Sequence, residues 1–371
     1  MVPVGAAWKA KVDEPYLLQE AFVTPNTQIP LPAGRSVWTA KELSQKTDWV
    51  FHYPEKTLKE IDACLARVKS KGVGYEDVTA ADFPLETLGN WLGSIKEEIA
   101  RGRGFIVMRG LPASRYSQDD LKKIYWGIGA HFGLAEAQSH RGDRLGDIID
   151  ISDELPDYFK RRGYNSGGAQ TAHTDSADIV SMLSITLAKS GGKSRLASAH
   201  TVHNLMLDHC PELLQVLYEG FFLRGTDTDA EATGRSPLSA HRVPVYMHTD
   251  GWLNAFYVQG YVRRPVMAGQ VTLSPVEEAA IQAFTAFANH PDIMLSMLLE
   301  PGDMQFLNNR TVFHGREGFE DYPEKERRRH LFRLWLHVPE WPRMAAIQEV
   351  HPQAERKSWE ENAKKRAAAE A

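Results

Sequence analysis

The chain has 371 residues, 43% hydrophobic and 25% charged, a balance that supports a folded globular protein and excludes disorder as a description of the whole. Lys plus Arg is 43 and Asp plus Glu is 48, and the net charge of −5 argues against a protein that coats nucleic acid. No apolar run reaches the ~18 residues of a membrane helix, and Met1-Val2-Pro3-Val4-Gly5 lacks the basic flank and apolar stretch of a secretory signal. In chain order, the first ~35 residues, punctuated by Pro25, Pro30 and Pro32, are expected to be irregular surface loop. A helix is expected over 57–71. A second carries Leu88, Leu92, Ile95 and Ile99 at helical spacing, with Gly102 as its left-handed cap. Gly104-Phe105-Ile106-Val107-Met108-Arg109-Gly110 reads as a glycine-bounded strand, and Ser117 opens another helix toward Ile128.

From Asp147 onward the segments become short, apolar and β-rich: 148–151, 179–187, 221–224, 253–258, 304–307 and 331–338. One helix interrupts them, with Ser274 as cap, Pro275 at its first position, Glu277 closing a capping box, and Ile281, Phe284 and Phe287 on its buried side. Residues 355–371 are charged and Ala-rich, which predicts a solvated helix or frayed tail. Strand–helix alternation is missing, so a parallel α/β sheet is excluded. The expectation is a mainly β fold with flanking helices, a sandwich or barrel, in a single domain over 1–371. Its parts are a helical and irregular segment 1–103, a β core over about 104–340 and a charged tail 350–371. Two cysteines, Cys64 and Cys210, exclude a disulfide framework and a four-thiolate metal site, and point to a reduced, cytoplasmic compartment.

The fourteen histidines leave room for an imidazole-based metal site. In His173-Thr174-Asp175 a strand would project the imidazole and the carboxylate to the same side. A third ligand must come from elsewhere, and His314 lies in a second β-like stretch. Two histidines and one carboxylate with open positions suit non-haem ferrous iron. A His-x-Asp triplet also arises by chance: His248-Thr249-Asp250 is a second copy, but Asp250-Gly251 between two apolar runs marks a hairpin tip. In 326–336, Arg329, Leu331, Arg333 and Trp335 share one strand face. Arg333 sits in an otherwise apolar stretch with no acidic partner in the strand, and a bound dicarboxylate would supply one. Gly191-Gly192-Lys193-Ser194 alone is a glycine turn, not a phosphate loop.

Taken in order, these pieces resemble the taurine/2,4-dichlorophenoxyacetate family of iron(II)- and 2-oxoglutarate-dependent dioxygenases. The matching text is His173-x-Asp175, Gly-Gly-x-Ser ending at Ser194, Pro301-Gly302-Asp303, Leu307-Asn308-Asn309, His314, then Arg329 and Arg333. Phe83-Pro84-Leu85 and Arg101-Gly102-Arg103-Gly104-Phe105 extend it upstream, so that it spans roughly 38–339. The resemblance implies a double-stranded β-helix (jelly roll). It implies iron(II) on His173, Asp175 and His314, with 2-oxoglutarate and dioxygen as cosubstrates. Arg333 would grip the distal carboxylate of 2-oxoglutarate, Ser194 would stand where the family often has a threonine donor, and Arg329 would assist. Oxidative decarboxylation to succinate and carbon dioxide would drive attack on an unactivated C–H bond, ending in hydroxylation, desaturation or cyclisation. Halogenating relatives lack the carboxylate, so Asp175 disfavours halogenation. The expected partner is a small molecule, a carboxylate or amino acid among the candidates, with no nucleic acid and no membrane; a homo-oligomer stays open. Segments 138–142, 164–171 and 225–241 are candidates for the mouth, and His140, Arg141 and Arg161 either attract an acid or are surface charge. His200, His203 and His330 read as structural. The rival classes are a jelly-roll binding protein without catalysis and a zinc hydrolase using the same ligands.

Overall fold

Alternation along one strand explains most of the architecture. In His330–His337, Phe332, Leu334 and Leu336 are buried toward one side while Leu331, Arg333 and Trp335 are buried toward the other, as a period of two requires of a strand covered on both faces. The computed structural model describes residues 32–152 and 166–370. The expected N-terminal loop and Arg161 therefore lie outside the described residues, except for the loop's last few positions.

Among the described residues the strands are β1 (Val50–His52), β2 (Phe105–Arg109), β3 (Leu134–Ala135), β4 (Leu145–Ile148), β5 (Gln170–His173), β6 (Ile179–Thr186), β7 (Ser190–Gly191) and β8 (Ser194–Ser198). After them come β9 (Tyr246–Thr249), β10 (Trp252–Ala255), β11 (Leu295–Met297), β12 (Met304–Asn308), β13 (Val312–Arg316), β14 (Phe319–Glu320) and β15 (His330–His337). The helices are α1 (Ala40–Leu43), α2 (Glu55–Lys71), α3 (Glu86–Ala100), α4 (Gln118–Gly129), α5 (Ala199–His209), α6 (Pro211–Glu219), α7 (Asp227–Thr233), α8 (Gln259–Met267), α9 (Pro275–Ala288) and α10 (Gln353–Glu370).

The larger sheet runs β1-β2-β12-β6-β15, with β3 and β4 both on the outer edge of β15. The smaller runs β11-β8-β13-β5. Phe105, Val180, Leu307 and Leu331 of the first meet Leu196, Leu295, Met297 and Val312 of the second in one buried layer, which makes the jelly roll. Helices α2, α3 and α4 cover the outer face of the large sheet against Phe306, Phe332 and Leu334. Helices α5, α6 and α9 cover the small one against Ala197 and Phe313. Each fully buried Phe or Leu in these layers contributes about 1.5–3 kcal/mol over exposure.

The structure departs from expectation at several elements. Gly102 does not cap α3: the cap is Arg101, and the positive φ of 84° falls on Gly104, packed against Val312 and Thr311. The strand expected over 148–151 lies earlier, at β4. Segment 221–224 makes only isolated bridges, from Phe221 to Val243 and from Arg224 to Leu238. Helices α5 to α8 replace part of the expected β-rich stretch. The tail is a docked helix, with Trp359 only 3% exposed. The second triplet ends β9 at a hairpin with β10, and Asp250 (φ 49°) and Gly251 (φ 80°) both take the left-handed conformation that a two-residue hairpin demands.

Candidate active site

Strands β5 and β13 are antiparallel neighbours, and their register sets His173 opposite His314. The two ring centroids lie 4.3 Å apart. Beyond His173 the chain leaves the strand, and Thr174 anchors the exit: its N–H donates to the Tyr257 carbonyl at 2.8 Å and its hydroxyl accepts from the Tyr257 N–H at 2.9 Å. Asp175 thereby reaches the imidazole pair, with Oδ2 at 3.7 Å from His314 Nε2. One ligand atom from each of His173, Asp175 and His314 lies within 4.8 Å of the others, the one such group among the described residues.

The protonation chemistry fits a metal. His173 Nδ1 sits 2.8 Å from the Thr171 carbonyl, which can only accept, so Nδ1 carries the proton and Nε2 keeps its lone pair. Burial, aided by His314, pushes the His173 imidazole down to about 4, so it is neutral near pH 7. His314 is 6% exposed and both of its ring nitrogens are buried without a hydrogen-bond partner. Such orphaned groups cost about 1–3 kcal/mol each, a cost that metal ligation at one of them would relieve. Burial works against ionisation of Asp175, but Arg333 and the two imidazoles outweigh it and hold the carboxyl well below the usual range.

Three side chains orient that carboxylate. Arg333 Nη1 donates to Asp175 Oδ2 at 3.1 Å, and the Trp335 indole donates to the same oxygen at 2.9 Å. Asn309 works on the backbone: its Oδ1 accepts from the Asp175 N–H at 2.8 Å, and its Nδ2 donates to the carbonyls of Asp175 (2.6 Å) and Ala177 (2.8 Å). Gln138 in turn holds Arg333, accepting from its Nε at 2.7 Å and donating to its carbonyl at 2.9 Å. The acidic partner of Arg333 is therefore Asp175, from outside the strand.

The site opens into a cavity of about 420 Å³ between the sheets. His173, Asp175, His314, Ser194, Arg329 and Arg333 all line it, so the six residues singled out from the sequence meet around one space. Arg316 also lines it and is missed by the sequence reading, although it shares a face of β13 with His314 by the period of two. Arg316 pairs across the ladder with Ser194, whose hydroxyl donates to Gln305 at 3.2 Å. Arg329 packs on Gly192, where an added Cβ would come within 3.0 Å of the guanidinium Nε; the glycine pair is what admits this arginine. Neither Arg316 nor Arg329 makes an ion pair among the described residues. Burial pushes Arg329 down to about 9, with repulsion from Arg316 second, and burial pushes Arg316 down to about 10.

Helix α8 supplies Gln259, Tyr261, Arg263 and Arg264 to the lining. Sequence reading misses it because Pro265 sits inside the helix and makes the stretch look like loop. Of the expected mouth segments, Ser166 and Ala169 to Thr171 line the cavity, whereas 138–142 and 225–241 do not. His140 is instead paired with Asp229 at 2.9 Å, and Arg141 is exposed. His200, His203 and His330 bond to Leu253 and Ser36, to Tyr218, and to Asp147, away from the lining.

Two imidazoles, a carboxylate and an arginine-lined mouth between two sheets suit ferrous iron and a dicarboxylate cosubstrate, the equipment of an iron(II)- and 2-oxoglutarate-dependent dioxygenase. The chain belongs to the taurine catabolism dioxygenase TauD, TfdA family, whose profile matches residues 69–335. It is 31% identical over 313 residues to the FR-33289 synthase of Streptomyces rubellomurinus (strain ATCC 31215), covering 82% of this chain and 90% of that one. It is 27% identical over 305 residues to the taurine hydroxylase-like protein SAT17 of Stachybotrys chartarum (strain CBS 109288 / IBT 7711), covering 80% and 77%. Among solved structures it resembles asparagine oxygenase in complex with Fe(II), 2S,3S-3-hydroxyasparagine and succinate, with a TM-score of 0.62 at 14% identity over 78% of this chain and 93% of that one. The non-haem iron oxygenase OrfP in complex with Fe and alpha-ketoglutaric acid matches with a TM-score of 0.55 at 13% identity, covering 78% and 94%. At those identities the two structures speak to the fold alone. The protein is thus an Fe(II)/2-oxoglutarate-dependent dioxygenase with a jelly-roll core, and iron(II), 2-oxoglutarate and dioxygen are its cofactor and cosubstrates. No helix among the described residues is long and apolar enough to cross a membrane.

Proposed function

We propose that this dioxygenase hydroxylates an unactivated C–H bond of a small anionic molecule, with iron(II) held by His173, Asp175 and His314. The distal carboxylate of 2-oxoglutarate goes to Arg329 and Arg316 beside Ser194, and Arg333 faces the substrate. The sequence reading put both arginines on 2-oxoglutarate, with Arg333 as the main grip and Arg329 assisting; this proposal gives the grip to Arg329 and turns Arg333 to the substrate. The observation that carries it is the pair of buried guanidiniums, Arg316 and Arg329, that repel each other and make no direct ion pair among the described residues, with Asp321 near both but outside ion-pair reach. Arg316 donates to the Ser166 and Gly168 carbonyls and Arg329 to that of Gly192, but a buried cation without an ion-pair partner is still costly, and a bidentate carboxylate is the group that best matches a guanidinium. Arg333 already has Asp175 and Gln138.

When bound, iron and 2-oxoglutarate supply the oxidising power, through cleavage of dioxygen coupled to loss of carbon dioxide and formation of succinate. The protein's share is positional. Two imidazoles and one carboxylate would hold iron(II) and leave room beside it for 2-oxoglutarate and dioxygen. Met182, Leu299 and Leu331 give the cavity dry walls. An anionic substrate suits the lining, to which Arg263, Arg264, Arg316, Arg329 and Arg333 all contribute. Of these, Arg263 is paired with Glu278 at 2.5 and 2.8 Å. Hydroxylation is also the activity for which the taurine hydroxylase-like relative is named.

The test is anaerobic addition of iron(II) and 2-oxoglutarate to the metal-free protein. The expected result is a visible charge-transfer band that disappears in His173→Ala. Arg329→Met should weaken 2-oxoglutarate binding at least tenfold, and Arg333→Met should keep the band but lose substrate-stimulated succinate release. Loss of the band in Arg333→Met with full binding in Arg329→Met would restore the opposite assignment. Hydrolysis with zinc and no band would favour the zinc alternative.

A further inference from the structure

The proposed function gives the indole of Trp335 no task, yet it bonds to the carboxylate at the centre of the site. Trp335 follows Arg333 by two residues on the inward face of β15, is 3% exposed, and donates from Nε1 to Asp175 Oδ2 at 2.9 Å. Its register is fixed from β6, with Trp335 opposite Val180. Two guanidiniums lie against its ring, Arg333 at 4.9 Å and Arg356 at 5.8 Å from the ring centroid. Arg356 comes from α10 and is anchored in turn by an ion pair with Glu136. The ring is therefore clamped, and its one polar hydrogen has one acceptor.

The two donors to Asp175 Oδ2 differ in kind. Arg333 is a cation lining the cavity, and an anion entering that cavity competes with Asp175 for it. The indole is neutral and offers a single N–H, so an incoming anion draws on it far less. We propose that Trp335 is a positioning residue for the metal: it holds the Asp175 carboxylate in the orientation shared by His173 and His314, and keeps it there when Arg333 is engaged elsewhere. The proposal rests on the iron-site reading above. Hydrogen-bond partners of ligating carboxylates are worth about 10–100-fold in metal affinity.

The experiment is titration of the metal-free, full-length protein with manganese(II) by calorimetry and with cobalt(II) by visible absorption, alongside thermal melting. Trp335→Phe keeps the ring and removes the donor. It should raise the metal dissociation constant about 10–100-fold and change the cobalt spectrum. Trp335→Gln, which restores a side-chain N–H, should bind more tightly than Trp335→Phe. Phe332→Leu, on the opposite face of the same strand, should lower the melting temperature and leave metal affinity alone. The proposal is overturned if Trp335→Phe binds within twofold of the unmodified protein, if Trp335→Gln binds no better than Trp335→Phe, or if Phe332→Leu weakens metal binding equally. Should the unmodified protein bind no metal, or His314→Ala bind as well as it does, the fault lies with the iron-site reading instead.

Discussion

Asn309 secures the Asp175 turn with one amide, and it is 2% exposed. Its three hydrogen bonds satisfy one N–H and two carbonyls that have no water to turn to. Asn309→Ala should therefore destabilise the protein by about 2–4 kcal/mol, since each buried group left unpaired costs about 1–3 kcal/mol. Asn309→Asp keeps the acceptor for the Asp175 N–H but turns a carboxylate oxygen toward two carbonyls in a buried site, so its loss should be at least as large. Urea unfolding of the metal-free protein measures both, and a loss below 0.5 kcal/mol in Asn309→Ala would mean that the turn holds itself. Asn309 was legible as part of Leu307-Asn308-Asn309, but its task was not. Its partners lie 132 to 134 residues away, and nothing local in the sequence reports a contact of that range. Gly302 is similar: its φ of 94° and an added Cβ only 1.9 Å from the Leu111 carbonyl explain the glycine, yet both need the fold to be seen.

Elements with a strong period were legible, and those without one were not. The alternation in β15 and the capping box of α9 announced themselves, and the structure carries both, with Ser274 and Glu277 capping reciprocally. Strands of two or three residues, such as β1, β3, β7 and β14, are too short to have a period. Helix α10 is the instructive failure. Its residues show almost no apolar face, so a solvated tail was the natural expectation, but a single large side chain suffices to dock it. Trp359 is buried, Glu360 accepts from the Ala137 N–H at 3.2 Å, Arg356 pairs with Glu136, and Glu355 pairs with Arg235 at 2.8 Å. The helix thus braces the segment that carries Gln138, which holds Arg333. Trp359→Ala should cost about 3–5 kcal/mol, the usual range for a buried tryptophan. Thermal melting of this variant and of a chain ending at Pro352 tests the brace: both should melt lower, with the truncation worse. Unchanged melting in either would show that the helix is not docked in solution.

At the scale of the whole molecule, the jelly roll brings residues 173, 175 and 314 together because β5 and β13 are neighbours in the small sheet although far apart in the chain. That these three residues meet was legible from residue types in a known order; which guanidinium is left without an ion pair was not, because that depends on contacts made only in the folded state. Acid sensitivity is likewise a property of the assembled core. His203 is fully buried, its Nε2 2.9 Å from the Tyr218 hydroxyl and its Nδ1 3.2 Å from Asn204 Oδ1, with His200 and His248 as the titratable imidazoles around it. Burial pushes it down to about 4, against 6.5 in an unfolded chain. Between those values the unfolded chain takes up a proton that the folded one refuses, so protonation favours unfolding. Stability should be at its plateau above pH 6.5 and fall as pH drops toward 4, by up to about 3 kcal/mol from this one group at 1.36 kcal/mol per pH unit. His203→Gln removes the titration; its plateau will be lower if the Tyr218 contact is lost, but its slope between pH 6.5 and 4 should be shallower. Urea unfolding of the metal-free protein across that window decides it, and parallel slopes for the two proteins would place the acid sensitivity on other groups.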